Sequence, residues 1–139
     1  MGANPAQTIR AFNEAETYHG PSLILAYSHC IAHGINMTTA MSHQKDAVHS
    51  GLWPLYRYDP RLAHQGLHPF HLDSSKPTIP FERFAMQEAR FAMLTRSDPE
   101  RARHLFELAQ ADIDDQWHYY QQMAGVEREI TEESEDAES

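Results

Sequence analysis

The chain contains one stretch that decides its fold, Gly20-Pro21-Ser22-Leu23-Ile24-Leu25-Ala26-Tyr27-Ser28-His29-Cys30-Ile31-Ala32-His33-Gly34. Within it, residues 23–26 form an unbroken apolar run that follows a Gly-Pro turn and precedes a polar Ser-His pair. A run of this length between turn signals is typical of a strand buried on both faces, as in a parallel sheet. Ligands bind beyond the carboxyl ends of such strands. Cys30 lies at that end, and it is the single cysteine of the chain.

The residues before this stretch predict a helix. Asn4 can cap it, Pro5 suits its first position, Gln7 completes a capping box, and Gly20 ends it. A helix followed by a buried strand is half of a βαβ unit, and the strand that should precede this helix is missing. The predicted fold class is therefore α/β with a parallel sheet, in a chain that begins inside a larger domain.

After the stretch, the pattern predicts a helix over residues 36–49 and a short strand over 53–58. A long ordered loop follows over 61–80, with a β-bridge near Phe70-His71-Leu72. Helices are predicted over 81–95 and 99–124, and the capping box Ser97-Asp98-Pro99-Glu100 opens the second. We expect these two helices to form a C-terminal αα-hairpin.

These elements divide the chain into three parts. Residues 1–60 form the end of an α/β domain, and residues 61–125 form a wrapping loop and helical extension of the same domain. Residues 126–139 form an acidic tail with too few apolar groups to offset its ordering entropy, so we expect it to be disordered.

The net charge of −9 is concentrated in that tail, which holds seven acidic residues and one arginine, so the other 125 residues carry only −3. A nearly neutral body argues against nucleic acid as a partner, because phosphate binding needs a basic face. No apolar run approaches the roughly 20 residues of a membrane span, and the first residues do not form a signal peptide. One cysteine allows no internal disulfide, so a cytoplasmic location is expected.

Cys30 has several interpretations. As a free cysteine it could be a small buried hydrophobe. A nucleophile would need a base, and His29 is adjacent while His33 could approach if the loop turns helical. Zinc could use Cys30, His33 and a distant histidine, although the spacing is weak support. A 4Fe–4S cluster needs four thiolates, so any cluster would take its other ligands from elsewhere.

The remaining candidate residues have structural interpretations. Most of the ten histidines are expected to be exposed or to face a partner, and His64, His68 and His71 show no zinc spacing. The acidic residues of the long helix are expected on a solvated face, and four methionines at helical spacing are expected to pack in the core (Asp112, Asp114, Asp115; Met37, Met41, Met86, Met93).

Several long motifs resemble the C-terminal part of pyruvate:ferredoxin (flavodoxin) oxidoreductases. They are Met1-Gly2-Ala3-Asn4, the stretch over 20–34, His43-Gln44-Lys45, Gly51-Leu52-Trp53-Pro54-Leu55-Tyr56-Arg57-Tyr58-Asp59-Pro60 and Gln87-Glu88-Ala89-Arg90-Phe91-Ala92-Met93-Leu94-Thr95. The resemblance covers residues 1–125 nearly continuously and leaves out the acidic tail.

The resemblance implies a piece of a large multidomain enzyme that uses thiamine diphosphate, Mg²⁺ and iron–sulfur clusters. That family oxidatively decarboxylates pyruvate with coenzyme A to acetyl-CoA and CO₂, and passes electrons to ferredoxin or flavodoxin. The matching region is the end of the thiamine-diphosphate-binding domain. Cys30 matches the fourth ligand of the cluster nearest the cofactor, and Ser28 and His29 become candidates to tune that cluster.

The chain lacks much of the family's pattern. The Gly-Asp-Gly motif with its Mg²⁺ ligands, the pyruvate-binding residues and the other cluster cysteines are missing. The resemblance therefore implies a fragment whose partners are the remaining domains of a homodimeric enzyme, and which is inactive alone. A stand-alone interaction module and a small zinc-binding protein remain the alternatives.

Overall fold

The computed structural model describes residues 3–126. Helix α1 (Pro5–Thr17) comes first, and 3-10 turns at Ile31–His33 and Met37–Thr39 lead into α2 (Ala40–His49). Strand β1 (Tyr56–Tyr58), helix α3 (Pro60–Ala63) and strand β2 (Phe70–Leu72) follow. Helices α4 (Phe81–Ala85), α5 (Ala89–Ser97) and α6 (Pro99–Gly125) complete the order. The architecture is mixed α/β and rich in helix, and no helix within residues 3–126 is long and apolar enough to cross a membrane.

The core lies where α2, α4 and α6 meet. Its buried members are mostly aromatic or small, namely Ala47, Phe81, Phe84, Ala85, Ala102, Phe106 and Ile113. Phe81 packs edge-on against Phe91 and Phe106, with ring centroids 6.1 and 6.2 Å apart. Such aromatic pairs each contribute about 0.5–1.5 kcal/mol beyond the area they bury. Helix α6 therefore serves as the support for α4 and α5.

The two short strands pair in antiparallel fashion, with Tyr56 opposite Leu72 and Tyr58 opposite Phe70. The Tyr56 ring stacks on Phe70 and on Tyr120 of α6, at centroid distances of 5.4 and 5.2 Å. The sheet is thus fixed to the long helix by aromatic contacts. The β-bridge predicted near Phe70-His71-Leu72 is present as strand β2, and the strand predicted over 53–58 is shorter because Pro54 cannot donate to a ladder.

Polar side chains connect helix α1 to the sheet, and none of the residues of α1 is buried. Arg57 of β1 pairs with Glu14 of α1, and it donates two hydrogen bonds to Asp73, from Nε at 2.7 Å and from Nη2 at 2.9 Å. Gln7 of α1 donates to the same carboxylate at 3.2 Å. Farther along α1, Arg61 Nη1 donates to the Thr17 carbonyl oxygen at 3.0 Å. These side chains attach α1 to the sheet.

The prediction of a buried parallel strand over residues 23–26 is wrong for the described part of the chain. The segment is irregular, and Leu23 and Leu25 are 83% and 65% exposed. Within residues 3–126 the paired strands are Tyr56–Tyr58 and Phe70–Leu72, which lie elsewhere, so no neighbouring strand satisfies the backbone of this segment.

The helix predicted over residues 81–95 is interrupted. Helix α4 ends at Ala85, and α5 begins at Ala89 after Glu88 adopts an extended backbone, with φ −104° and ψ 125°. The interruption places the Glu88 side chain inside the molecule, where it is 1% exposed. Helices α5 and α6 are separated by Asp98 alone, and its side chain accepts a hydrogen bond from the Arg101 amide at 3.1 Å. The disorder predicted for the acidic tail concerns residues outside the described range, except Val126.

Candidate functional site

Cys30 lies at the start of a tight turn. It precedes the 3-10 turn Ile31–His33, in which the His33 amide donates to the Cys30 carbonyl oxygen at 3.1 Å. The Gly34 amide closes the turn on Ile31 O at 2.9 Å. The cysteine is free and exposed, so the interpretation of Cys30 as a buried hydrophobe is wrong for this chain. Its side chain can be approached from outside.

Gly34 brings the end of this turn against α5. Its φ is +71°, a left-handed backbone conformation that residues other than glycine rarely adopt. A Cβ at this position would lie 2.4 Å from the Ala89 Cβ, and the Ala89 amide donates to the Gly34 carbonyl oxygen at 3.3 Å. Only glycine therefore permits this close approach between the turn and the first residue of α5.

The buried carboxylate of Glu88 lies close to the turn. Glu88 Oε1 lies 3.0 Å from His43 Nε2, and the two side chains are 1% and 2% exposed. The other oxygen, Oε2, pairs with Arg90 Nε at 2.5 Å and lies 3.9 Å from His33 Nδ1. A buried carboxylate is costly unless it is paired and hydrogen-bonded. Arg90 and His43 provide that compensation, and the same carboxylate reaches the end of the Cys30 turn.

Helix α2 makes further contacts with the Glu88 region. The His43 ring stacks on Phe84 with centroids 4.5 Å apart, which fixes its plane. Gln87 donates from Nε2 to Asp46 Oδ2 at 2.6 Å, and its Oε1 lies 3.4 Å from His43 Nδ1. The residues that separate α4 from α5 are therefore joined to α2 by two neighbouring polar side chains.

Helix α2 also contacts the other side of Cys30. Gln44 Nε2 lies 2.8 Å from His29 Nδ1, so the amide donates and the ring nitrogen accepts. This assigns the ring proton of a neutral His29 to Nε2. The Ser28 hydroxyl donates to the His29 carbonyl oxygen at 3.2 Å. Tyr27, one residue earlier, is half-buried, and burial raises the pKa of its hydroxyl, with the negative charge of Glu88 adding to the effect.

The structure does not assemble the other sequence-predicted residues into a site. His68 contacts the backbone of Phe70 at the start of β2, and Asp114 accepts a hydrogen bond from Gln110 on the exposed face of α6. The expectation that the methionines pack in the core is wrong, since Met37, Met41, Met86 and Met93 are 48%, 60%, 41% and 62% exposed. The buried face of α2 consists instead of Ala40, His43, Gln44 and Ala47.

Sequence reasoning missed the structural roles of His43, Gln44 and Glu88. The helical spacing of these residues contained a signal for those roles. Glu88 falls among the apolar residues of the helix predicted over 81–95, and His43 and Gln44 occupy the positions between Ala40 and Ala47 that helical periodicity assigns to one face. A polar side chain on an otherwise apolar face predicts a buried polar contact.

A large cavity of about 710 Å³ lies between α1, the segment over residues 21–27 and the β1 region. Apolar side chains from both walls remain exposed, among them Phe12, Leu23 and Leu25 at 49%, 83% and 65%. Exposed apolar groups concentrated around one cleft mark a surface that binds another protein surface or a ligand.

A metal site cannot be built from the described residues alone. Within residues 3–126, no group of three or more His, Cys, Asp or Glu side chains could hold a metal ion. The zinc site predicted from Cys30 and His33 therefore lacks a ligand set in this part of the chain. Cys30 can contribute one thiolate to a group whose other ligands lie outside it.

Comparison with known proteins gives one consistent result. No protein-family model matches the chain. It is similar to pyruvate-flavodoxin oxidoreductase of Nostoc sp., with 56% identity over 124 residues, 89% of this chain and 10% of that protein. It is 48% identical over 124 residues to pyruvate:ferredoxin oxidoreductase of Moorella thermoacetica, again over 89% of this chain and 11% of that protein. Pyruvate-flavodoxin oxidoreductase of Rhodospirillum rubrum is 46% identical over 127 residues, covering 91% of this chain and 10% of that protein. The resemblance predicted from the motifs is confirmed, and the chain spans about a tenth of the length of the curated relatives it matches.

Proposed function

We propose that this chain, which is similar over nine tenths of its length to a segment of the pyruvate-flavodoxin oxidoreductases, works as part of such an enzyme and supplies Cys30 as one ligand of a 4Fe–4S cluster. The observation that carries the proposal is the placement of Cys30. The one cysteine of the chain is exposed on a turn whose two ends are fixed by polar contacts to α2 and the start of α5.

The residues present fit one corner of such a cluster. A 4Fe–4S cluster takes four thiolates, and a ligand from this chain must be accessible and free of a disulfide. Cys30 meets both conditions. Because residues 3–126 hold no complete metal-binding group, the other three thiolates would come from other parts of the enzyme.

The side chains beside Cys30 would set the surroundings of the sulfur. A bound cluster accepts and passes on single electrons. Hydrogen bonds to its sulfur atoms and its exposure to water set its potential. The Nε2–H of His29 is directed away from Gln44, which binds the other ring nitrogen, and it can donate to a sulfur atom. The Ser28 hydroxyl, which now donates to a carbonyl oxygen, is the second candidate donor.

The exposed apolar segment over residues 21–27 supports the wider assignment. In the proposed enzyme it would be an inner strand of the parallel sheet of the thiamine-diphosphate-binding domain, covered by polypeptide outside this chain. Leu23 and Leu25 would then be buried, and the cavity beside α1 would be filled. The helices α5 and α6 would form the αα-hairpin that ends the domain.

The complete enzyme would oxidise pyruvate with coenzyme A to acetyl-CoA and CO₂ and pass electrons to flavodoxin or ferredoxin. It would bind thiamine diphosphate and Mg²⁺ mainly through residues outside this chain, and it would be a homodimer in the cytoplasm. We expect the chain alone to be inactive. Within residues 3–126 no site supports the zinc-binding alternative.

Complementation tests this proposal. The Nostoc enzyme is shortened so that it ends before the segment that this chain matches, and it is co-expressed with this chain or with its Cys30→Ser variant. We expect the unmodified chain to restore pyruvate-dependent viologen reduction and a complete set of reduced-cluster electron paramagnetic resonance signals. The Cys30→Ser chain should associate but lack one cluster signal.

Two controls make the result decisive. The shortened enzyme without a complement and the chain alone should both fail to reduce viologen with pyruvate. Restoration of every cluster signal by the Cys30→Ser chain would show that Cys30 is not a ligand. Activity of the chain alone would contradict the need for the remaining domains.

A further inference from the structure

We infer that Glu88, His43 and Gln44, which we name the Cys30 clamp, are positioning residues that hold the Cys30 turn in one conformation from both of its ends. The orientation of the thiol is then set by side chains of α2 and the α4–α5 junction. The consequence for a cluster depends on the proposed function, but the clamp itself is a property of this chain.

The first arm of the clamp acts on the residue before Cys30. Gln44, itself buried, lies with Nε2 at 2.8 Å from His29 Nδ1. Because Gln44 is fixed on α2, its hydrogen bond restricts the rotation of the His29 ring and of the backbone at His29. His29 is adjacent to Cys30, so the restriction applies directly to the peptide that precedes the thiol.

The second arm acts on the residues after Cys30. Glu88 Oε1 is held by His43 at 3.0 Å and Oε2 by Arg90 at 2.5 Å. Oε2 also lies 3.9 Å from His33 Nδ1, a separation that permits electrostatic attraction but is too long for a hydrogen bond. Gly34 follows at once, and its carbonyl oxygen accepts from the Ala89 amide. One element, the start of α5, therefore contacts the turn through both a side chain and the backbone.

Burial of the Glu88 carboxylate costs free energy, which indicates that this side chain does more than stabilise the fold. A helical pattern that would continue from α4 into α5 is broken at Glu88, and the break buries a carboxylate. The amides at the break keep acceptors, since Glu88 donates to the Ala85 carbonyl and Ala89 to the Gly34 carbonyl. Replacing buried ion pairs by apolar groups is often neutral or stabilising. Apolar residues in place of both Glu88 and His43 could fill the same space, but they could not approach His33 with a charge.

His43 and Gln44 are consecutive residues, and both face inward on α2. One contacts the arm that reaches His33, and the other contacts His29 directly. The two arms consequently share one rigid helix. This common support explains how a turn that is exposed at Cys30 is nevertheless restrained at both ends.

Nitrogen-15 relaxation of the 139-residue chain tests the inference by measuring order parameters for residues 29–34. The unmodified chain should give values near 0.85, typical of rigid backbone, and Glu88→Gln should lower them below about 0.6. The controls Glu82→Gln and His49→Gln change exposed side chains of α4 and α2 and should leave the turn unchanged. The spectrum of the α6 amides reports whether each variant remains folded.

The outcomes are distinct. A turn that remains rigid in a folded Glu88→Gln chain overturns the inference, as does a turn that is already flexible in the unmodified chain. If Glu88→Gln unfolds, Gln44→Ala decides, because it removes the arm at His29 and leaves Glu88, His43 and His33 in the sequence. Unchanged order parameters at residues 29–31 then overturn the inference. None of these results depends on a cluster, so failure of the clamp and failure of the proposed ligand role are separable.

Discussion

Replacing Arg57 with methionine should release α1 from the rest of the chain. The guanidinium group joins Glu14 of α1 to Asp73 after β2, and Gln7 of α1 donates to the same Asp73 carboxylate. None of the residues of α1 is buried. Methionine keeps the length of the side chain and removes the charge and the donors, so the substitution tests the polar attachment of this helix.

The expected magnitude follows from the contacts that are lost. The Arg57–Glu14 pair contributes about 1 kcal/mol to docking, because Glu14 is 34% exposed and water screens the pair. Without Arg57, Asp73 is no longer held in place for Gln7, which costs a further ~0.5–1 kcal/mol. The hydrogen bond from Arg61 to the Thr17 carbonyl remains. The free energy of local opening should therefore fall by about 1.5–2 kcal/mol, roughly 12- to 30-fold in the opening equilibrium.

Hydrogen exchange followed by mass spectrometry measures this change directly. A helix of 13 residues is marginal by itself, so the amides of α1 should exchange as fast as undocking allows. We expect peptides from residues 5–17 to exchange roughly 12- to 30-fold faster in Arg57→Met, with little change in peptides from α6. Arg103→Met removes an exposed arginine on α6 and is the matched control.

Unchanged exchange in α1 would refute the reasoning. It would mean that apolar contacts of α1 around Phe12, not the Arg57 network, hold the helix in place. Faster exchange throughout the chain would also contradict the expectation, because the loss would then be global and not confined to docking.

Two further predictions concern pH and the Cys30 turn. Burial by itself would raise the pKa of Asp73, but hydrogen bonds from Arg57 and Gln7 outweigh it and hold that pKa below its usual value. The stability contributed by Asp73 is therefore complete above its unfolded pKa of about 3.9, and it is lost as the pH falls through the lower pKa of the folded state. Below about pH 4 the thermal midpoint should consequently fall more steeply in the unmodified chain than in Asp73→Asn. Gly34→Ala should lower the thermal midpoint by about 4–8 °C, because alanine at this positive φ carries about 2 kcal/mol of backbone strain. The loss should be larger than in Gly66→Ala, since Gly66 has a similar φ of +70° but no atom within 4 Å of its missing Cβ. Equal losses for the two glycines would show that the contact with Ala89 is unimportant.

Local signals in the sequence predicted the starts of α1 and α6. Asn4 accepts from the Gln7 amide at 3.0 Å, as the capping box predicts, and α6 starts within the predicted box at residues 97–100, although Asp98 and not Ser97 is its cap. Helix α1 ends at Thr17, three residues before the predicted stop at Gly20. Such signals depend only on neighbours in sequence, because a cap satisfies backbone donors within a few residues. The short strand over 70–72 was likewise indicated by its flanking turn residues.

The errors lie where a residue's environment is set by distant parts of a structure. Residues 23–26 have the composition of an inner strand, but a strand needs a neighbour for its backbone, and residues 3–126 offer none there. Glu88 fits a helical pattern, yet its carboxylate pairs with His43, 45 residues earlier in the sequence, and the helix breaks to allow it. Periodicity cannot show this, since it describes one element at a time.

These two errors point to the same division within the chain. Around Cys30, contacts from α2 and α5 are complete: the carboxylate of Glu88 is paired, the turn is closed and His29 has its partner. Around residues 21–27, the apolar side chains are exposed and the backbone lacks a sheet. This division agrees with the proposed function, in which further polypeptide would pack on the exposed surface around residues 21–27. In the proposed enzyme the turn would then present Cys30 to its neighbours in a fixed orientation.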